Sequence, residues 1–356
     1  MATHTIAVLG GDGIGPEVIA QAVRAVEAAV AKHDRGHELR LTHLPWGSEF
    51  YKKHGHILPA DGWETLAKHD AILFGAVGDP SIPDTIPVHH LLLPMRRRFD
   101  QYVNLRPAYL FDGVPCPLVG KAPGSIDMMV YRENTEGEYA PVGGKLYPDT
   151  DKEVAVQTSV FTRAGCERLI RAAFEGARNR PRKKLTSITK SNALLYGMTL
   201  WDAAYEAVRK DFPDVQSHSL LVDAAAMDFV RKPEAFDVVV ASNLFGDILT
   251  DLSAAVAGSI GLASSANINP TKQYPSMFEP VHGSAPDIAG KGIANPLAAV
   301  LSAALMLDHL GLTTSADAVR AAVSKVLAAG AVKTPDLGGT ATTTQMGDAV
   351  VKAIDL

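Results

Sequence analysis

Cysteine is scarce in this chain: Cys116 and Cys166 are the only two in 356 residues. Two widely separated thiols give no disulfide framework, no Cys-x-x-Cys pair and no zinc-site spacing. There is no basic excess either. Lys and Arg number 34 against 39 Asp and Glu, a formal net charge of -5, which is poor ground for bulk nucleic-acid binding. Long hydrophobic runs are missing. The longest mostly apolar stretch, 296–307, ends at Asp308 and His309, well short of the roughly 20 residues a membrane span needs. The first nine residues lack the basic start and longer apolar run of an export signal. Together these absences predict a protein of the reducing cytoplasm. No internal repeat, low-complexity tract or linker is visible. No G-x-G-x-x-G or P-loop occurs, because Gly11, Gly13 and Gly15 miss that spacing; a dinucleotide site would have to be of a different kind.

What is present is globular. Hydrophobic residues make up 47% and charged residues 21%, and at about 150 residues per domain the length suggests two domains or one large one. Short β-rich runs alternate with helical patterns. Residues 5–9 read as a buried strand, followed by a glycine-rich turn and by Pro16, a residue favoured at the start of a helix. Val18, Ala22, Val23, Val26, Ala29 and Val30 then keep helical spacing. Residues 71–74 and 236–241 read as further strands, and Asn295-Pro296 opens an apolar helix reaching about Leu310. The alternation predicts an α/β fold with strands buried on both faces. Residues 133–163 break the pattern: Gly, Thr, Tyr and Val with turn signals at Gly143-Gly144 and Pro148-Asp149 read as a β-ribbon.

Several residues stand out chemically. Asp247 and Asp251 are four apart in an apolar segment, which puts two carboxylates on one helix face. They repel unless a cation lies between them, so removing either is expected to leave folding intact. All-oxygen ligands favour Mg²⁺ or Mn²⁺. Asp223 is a candidate third carboxylate, or a helix cap. Arg96-Arg97-Arg98, Arg106 and Arg132 form a basic set whose planar donors suit carboxylates. The triple run could instead pair with Asp100 and Glu133. Arg106 and Arg132 lie among apolar residues and need an anionic partner. Lys190, at a strand end, could act as a base. Tyr139 is uninformative alone, and Gly283-Ser-Ala-Pro-Asp287 reads as a turn able to cradle a phosphate or ribose.

Together the motifs resemble the isocitrate/isopropylmalate dehydrogenase family, from Gly11-Asp-Gly-Ile-Gly-Pro-Glu17 to Asp336-Leu-Gly-Gly-Thr-Ala341. Asn243-Leu-Phe-Gly-Asp-Ile-Leu-Thr-Asp251 through Gly258-Ser-Ile-Gly261 is similar to the family signature. Phe99-Asp-Gln-Tyr-Val-Asn-Leu-Arg-Pro107, Gly113-Val-Pro-Cys-Pro-Leu118 and Ser264-Ser-Ala-Asn-Ile-Asn-Pro270 resemble its decarboxylating tartrate/D-malate dehydrogenase branch.

The resemblance implies a two-domain α/β subunit with a large mixed sheet. Residues 1–101 and 261–356 would form a cofactor domain, and 102–260 a middle domain with the dimer interface and the β-arm. It implies NAD and Mg²⁺ or Mn²⁺ as cofactors, and a homodimer with shared sites. Arg96, Arg106 and Arg132 match the substrate-carboxylate arginines, Tyr139 and Lys190 the acid/base pair, and Asp223, Asp247 and Asp251 the metal ligands. Lys190 and Asp223 would reach in from the partner. His282, Ser284, Asp287 and Asn295 match the cofactor loop, where Asp287 would accept from the ribose 2′-hydroxyl and favour NAD over NADP. The implied activity is oxidation with decarboxylation of D-malate or tartrate. Two alternatives stay open: a 3-isopropylmalate dehydrogenase and, more distantly, a dicarboxylate-binding receptor. In Ile86-Pro-Val-His-His-Leu-Leu-Leu-Pro94 the branch's Trp-Gly pair is absent. Leu91, Leu92 and Leu93 could build an apolar pocket there, whereas His89 and His90 could hydrogen-bond a substrate hydroxyl.

Overall fold

The strand expected at 5–9 is longer and opens a ten-stranded sheet in the structure, a computed structural model that describes residues 2–355. The strands are β1 (Ala2–Gly11), β2 (His37–His43), β3 (Ala71–Ala76), β4 (Val103–Tyr109), β5 (Asp127–Glu133), β6 (Gly143–Leu146), β7 (Val154–Gln157), β8 (Lys184–Thr189), β9 (Gln216–Leu221), β10 (Val238–Ala241), β11 (Ser264–Ile268) and β12 (Ser276–Pro280). The sheet order is β2-β1-β3-β12-β11-β4-β5-β10-β8-β9, and β6 and β7 pair separately. The outer strands run parallel. β11 is antiparallel to both neighbours, and β4 is antiparallel to β5. The sheet is therefore mixed, with its change of direction at the centre.

Helices cover both faces, which explains the unbroken apolar strands. In β1, Ile6 and Val8 enter one core while Ala7 and Leu9 enter another on the opposite face. The first core packs the helices Gly15–His33, Leu297–His309, Thr313–Ala329 and Thr343–Asp355 on this half of the sheet. The helix Leu297–His309 has no charge before Asp308 and is buried nearly all round. A separate core joins β4, β5, β8 and β10 to the helices Arg163–Arg178, Gly197–Val208, Val222–Arg231 and Asn243–Val256. The helix Gly15–His33 starts at Pro16, with Glu17 in its first turn and Lys32 and His33 in its last, an order the helix dipole favours.

The ribbon expected in 133–163 is the β6–β7 hairpin, exposed along both strands. Val142, Leu146, Tyr147, Val154 and Val156 present apolar side chains to solvent there. Among the described residues no helix is long and apolar enough to cross a membrane.

Candidate active site

A cavity of about 640 Å³ opens between the two halves of the sheet. Its walls come from the ends of β3 and β12, from β4 and β5, from the helix Asn243–Val256, and from the turn of helix carrying Val88, His89, Leu92 and Leu93. This is the crevice beyond the strand ends where open α/β sheets bind ligands.

Arg96, Arg106, Arg132, Tyr139 and Asp247 all line it. Asp247 is the hub. It is paired with the Arg132 guanidinium, lies 3.3 Å from Arg106 and accepts from Tyr139 Oη at 2.8 Å. Asn243 Oδ1 accepts from Arg132 Nε and Nη2 at 3.1 and 2.7 Å, and Thr250 Oγ1 accepts from Arg106 Nη1 at 2.8 Å. Both partners lie on the helix that carries Asp247. Gly246 lets that helix approach: a Cβ there would sit 2.6 Å from Arg132 Cγ. The Arg132 pKa is lowered to about 9, first by burial and then by Arg106, with Asp247 partly offsetting both. Burial also pushes the Asp247 carboxyl up, but Arg132 and Arg106 outweigh it and hold the group below the usual range. Burial, with the Asp247 bond second, raises the Tyr139 phenol to about 12.

Asp251 stands one turn on, exposed and 4.0 Å from Arg106. Its carboxyl is raised, first by burial and then by Asp247, with Arg106 opposing. The charge of Asp247 neutralises two buried guanidiniums, which argues against the expectation that either aspartate can be removed without affecting folding; Asp251 has only the longer contact to Arg106. The pair fits a hard divalent cation, which is commonly held by one or two carboxylates plus water and substrate oxygens. Among the described residues no three His, Cys, Asp or Glu side chains come together as a metal site. Asp223 is not beside the other two: it pairs with Lys190 at 2.6 Å, and neither lines the cavity. Asp223 lies in the first turn of Val222–Arg231, and Lys190 follows directly after β8.

The cofactor-loop candidates divide. His282 lines the cavity, and its Nε2 is a buried nitrogen without a partner, as a ligand-facing donor would be. Burial lowers its pKa. Ser284 is buried, and its carbonyl accepts from Ile14 N–H at 2.8 Å. That contact needs Gly13, at φ +58°, because a Cβ would lie 2.0 Å from the Ser284 oxygen. Asn295 is buried and donates to Asp336 at 2.9 Å, while Asp287 is exposed. An imidazole held through Nδ1 by Gly283 O at 3.0 Å, with Nε2 left free beside a glycine-lined turn, fits a nucleotide.

The two histidines separate. His89 lines the cavity, but His90 lines another, with Tyr51, His56 and Trp63. Leu91 is fully buried in the core, so of the three leucines only Leu92 and Leu93 line the cavity, beside Val88. The basic run does not pair with Asp100 and Glu133. Asp100 binds Arg168, Glu133 accepts from Thr135, and Arg96 binds Glu279 at 2.9 Å, buried on both sides. Glu279 is thus a charged residue of the cavity wall that composition and spacing did not single out. Its signal is a charge inside the apolar strand Ser276–Pro280. Asp12 was equally silent: it accepts from Ser48 N–H, Ser48 Oγ and Gly78 N–H at 2.8, 2.5 and 2.9 Å and fixes the glycine turn.

Comparison with known proteins adds a lineage. Residues 5–350 match the family described as isocitrate/isopropylmalate dehydrogenase. The chain is 51% identical to D-malate dehydrogenase [decarboxylating] of Escherichia coli (strain K12), across 99% of each chain. It is 49% identical to tartrate dehydrogenase/decarboxylase of Pseudomonas putida, over 97% of this chain and 96% of that one. It is also 49% identical to 3-isopropylmalate dehydrogenase of Thermobifida fusca (strain YX), over 99% and 98%. The crystal structure of isocitrate dehydrogenase from Methylococcus capsulatus superposes with a TM-score of 0.90 at 35% identity, covering 99% of this chain and all of the other.

Proposed function

This chain belongs to the isocitrate/isopropylmalate dehydrogenase family, and from that premise we propose that it oxidises D-malate- or tartrate-type 2-hydroxy dicarboxylates with NAD and decarboxylates the product. It is an oxidoreductase acting on CH–OH groups. The observation that carries the substrate class is the convergence of Arg96, Arg106 and Arg132 in one cavity with Tyr139 and Asp247. Three guanidiniums suit a substrate with two carboxylates. The charges lining the cavity already cancel: Arg96, Arg106 and Arg132 against Glu138, Asp247 and Glu279. A dicarboxylate therefore enters best with a divalent cation that cancels its own two charges. His89, rather than an apolar side chain, beside Leu92 and Leu93 favours hydrogen or hydroxyl at the substrate's variable position over the branched group of 3-isopropylmalate.

Asp247 and Asp251 would hold Mg²⁺ or Mn²⁺, and His282, Ser284, Asp287 and Asn295 would hold NAD; when bound, these supply Lewis-acid stabilisation and the hydride acceptor. The chain's own groups do the rest. The arginines orient the two carboxylates. Lys190 takes the hydroxyl proton and Tyr139 returns one to carbon after CO₂ departs. Lys190 and Asp223 would serve the cavity of a second copy. The exposed Leu194, Leu195 and Tyr196 beside Lys190, and Ile248 beside Asp247, support a covering partner at both places. The three cores support a cofactor domain of 1–101 and 261–356 and a middle domain of 102–260: two are built from the former segments, apart from Phe111 and Val114, and the third from the latter. The two unpaired cysteines suit the cytoplasm.

One assay tests the reading. With D-malate, Mn²⁺ and NAD, NADH and CO₂ should appear in equal amounts, and NADP should serve at least tens-fold less well, on the order of 2 kcal/mol, because Asp287 repels a 2′-phosphate. Turnover that survives exhaustive chelation would remove the metal from the reading, and equal use of NADP would remove Asp287.

A further inference from the structure

Tyr139 sits in a loop that the arm holds in place. Gly137 exchanges two backbone hydrogen bonds with Val160, at 2.7 and 3.0 Å, and Thr158 N–H donates to Val142 O at 2.8 Å. Between these points one side chain grips the loop. Gln157, the last residue of β7, donates from Nε2 to Ala140 O at 2.8 Å and to Glu138 O at 3.5 Å. Those carbonyls belong to the residues on either side of Tyr139. Gln157 also lines the cavity, although the rest of its strand lines none of it. A primary amide can hold two carbonyls with its two N–H donors, and an alanine or a carboxylate cannot.

We infer that Gln157 is a positioning residue for the proton donor: by clamping the backbone on both sides of Tyr139 it aims the phenol, and it links the seating of the arm to the chemistry. This rests on the reading of Tyr139 as the acid. In that step the bond between the substrate carbon and its carboxylate breaks, and the electron pair passes into the enolate of the product keto acid as CO₂ leaves. The carbon then takes a proton from Tyr139 Oη, and water reprotonates the phenolate. A small displacement of the phenol slows proton delivery without touching the groups that bind substrate.

The test compares wild type, Gln157→Ala, Gln157→Glu and Tyr139→Phe, each with Mn²⁺ and NAD. NADH formation from D-malate is followed in a single turnover, and protonation of the keto acid is followed separately with the 2-keto dicarboxylate supplied directly. Both Gln157 variants should slow the keto-acid reaction about tenfold, while single-turnover NADH formation and the KM for D-malate stay within about twofold. Gln157→Glu keeps the size and loses the donors, so a purely space-filling role would leave that variant unimpaired and overturn the inference. Equal slowing of both half-reactions, or loss of assembly by sedimentation, would also overturn it. If Tyr139→Phe itself decarboxylates at the wild-type rate, the reading of Tyr139 falls instead.

Discussion

Asp247 and Asp251 look equivalent in the sequence and differ in the structure. Each is a carboxylate on the same helical face. Only Asp247 is wedged between Arg132 and Arg106 and held below the usual carboxylate range, whereas Asp251 is raised, first by burial and then by Asp247, with Arg106 opposing. The difference lies in partners that are distant in sequence, so spacing alone could not reveal it. If both hold the cation as proposed, replacing either by Asn should abolish turnover, because each change would remove a ligand. Stability should part them. Asp247→Asn leaves two buried guanidiniums short of a counter-charge and should cost on the order of 2 kcal/mol after allowing for partial exposure. Asp251→Asn removes a charge that is disfavoured by partial burial and by Asp247, against only a 4.0 Å contact with Arg106, and should be neutral or slightly stabilising. Urea midpoints of the two variants decide it, and equal losses would contradict the charge assignment. The need of Arg106 and Arg132 for an anion was legible, since both lie in apolar runs. Glu279 as the partner of Arg96 was not, because that pair spans the chain from helix to β12.

At the scale of elements, strand and helix periodicity carried most of the fold. The apolar runs of β1, β3 and β10 and the helix after Pro16 lie where their patterns predict. The antiparallel placement of β11 and β4 was not legible, because strand direction depends on long connections rather than on composition. How elements are joined was hidden in the same way. Glu138 shows this: its carboxylate accepts from Ser242 Oγ at 2.7 Å and from Leu244 N–H at 3.0 Å. It therefore caps the helix that carries Asp247, from the segment that carries Tyr139. A carboxylate on a helix N-terminus satisfies free N–H groups and meets the positive end of the dipole. Glu138→Ala should lower stability by about 1 kcal/mol in chemical denaturation. An unchanged midpoint would show that the cap contributes nothing in solution.

The whole molecule has a pH dependence that no single motif announces. Histidines are spread along the chain, and the fold takes several of them partly out of water. His309, against Phe278 and near Lys272, is pushed down to about 4, chiefly by burial. His4 and His218 are lowered as well, again first by burial. The unfolded chain takes up these protons near the ordinary value of 6.5 and the folded chain resists them. Their stabilising contribution is therefore complete above that value, declines as pH falls, and for His309 is gone by about 4. Unfolding free energies in urea should fall between about pH 7 and pH 5, and His309→Gln should flatten part of that fall. A flat profile for the wild type, or an unchanged slope in the variant, would show that these imidazoles are not protected.

The whole molecule also poses the central question of which acid the cavity takes. Three arginines, two aspartates and a tyrosine are common ground for every 2-hydroxy dicarboxylate considered. What separates the alternatives is the wall carrying His89, Leu92 and Leu93. An apolar pocket discriminates by only ~1–3 kcal/mol per methylene, so weak turnover of alkylmalates is compatible with the assignment. The most direct measurement is kcat/KM for D-malate against 3-isopropylmalate, with the same Mn²⁺ and NAD. The account predicts that D-malate is the better substrate by at least about tenfold. A clear preference for 3-isopropylmalate would contradict it.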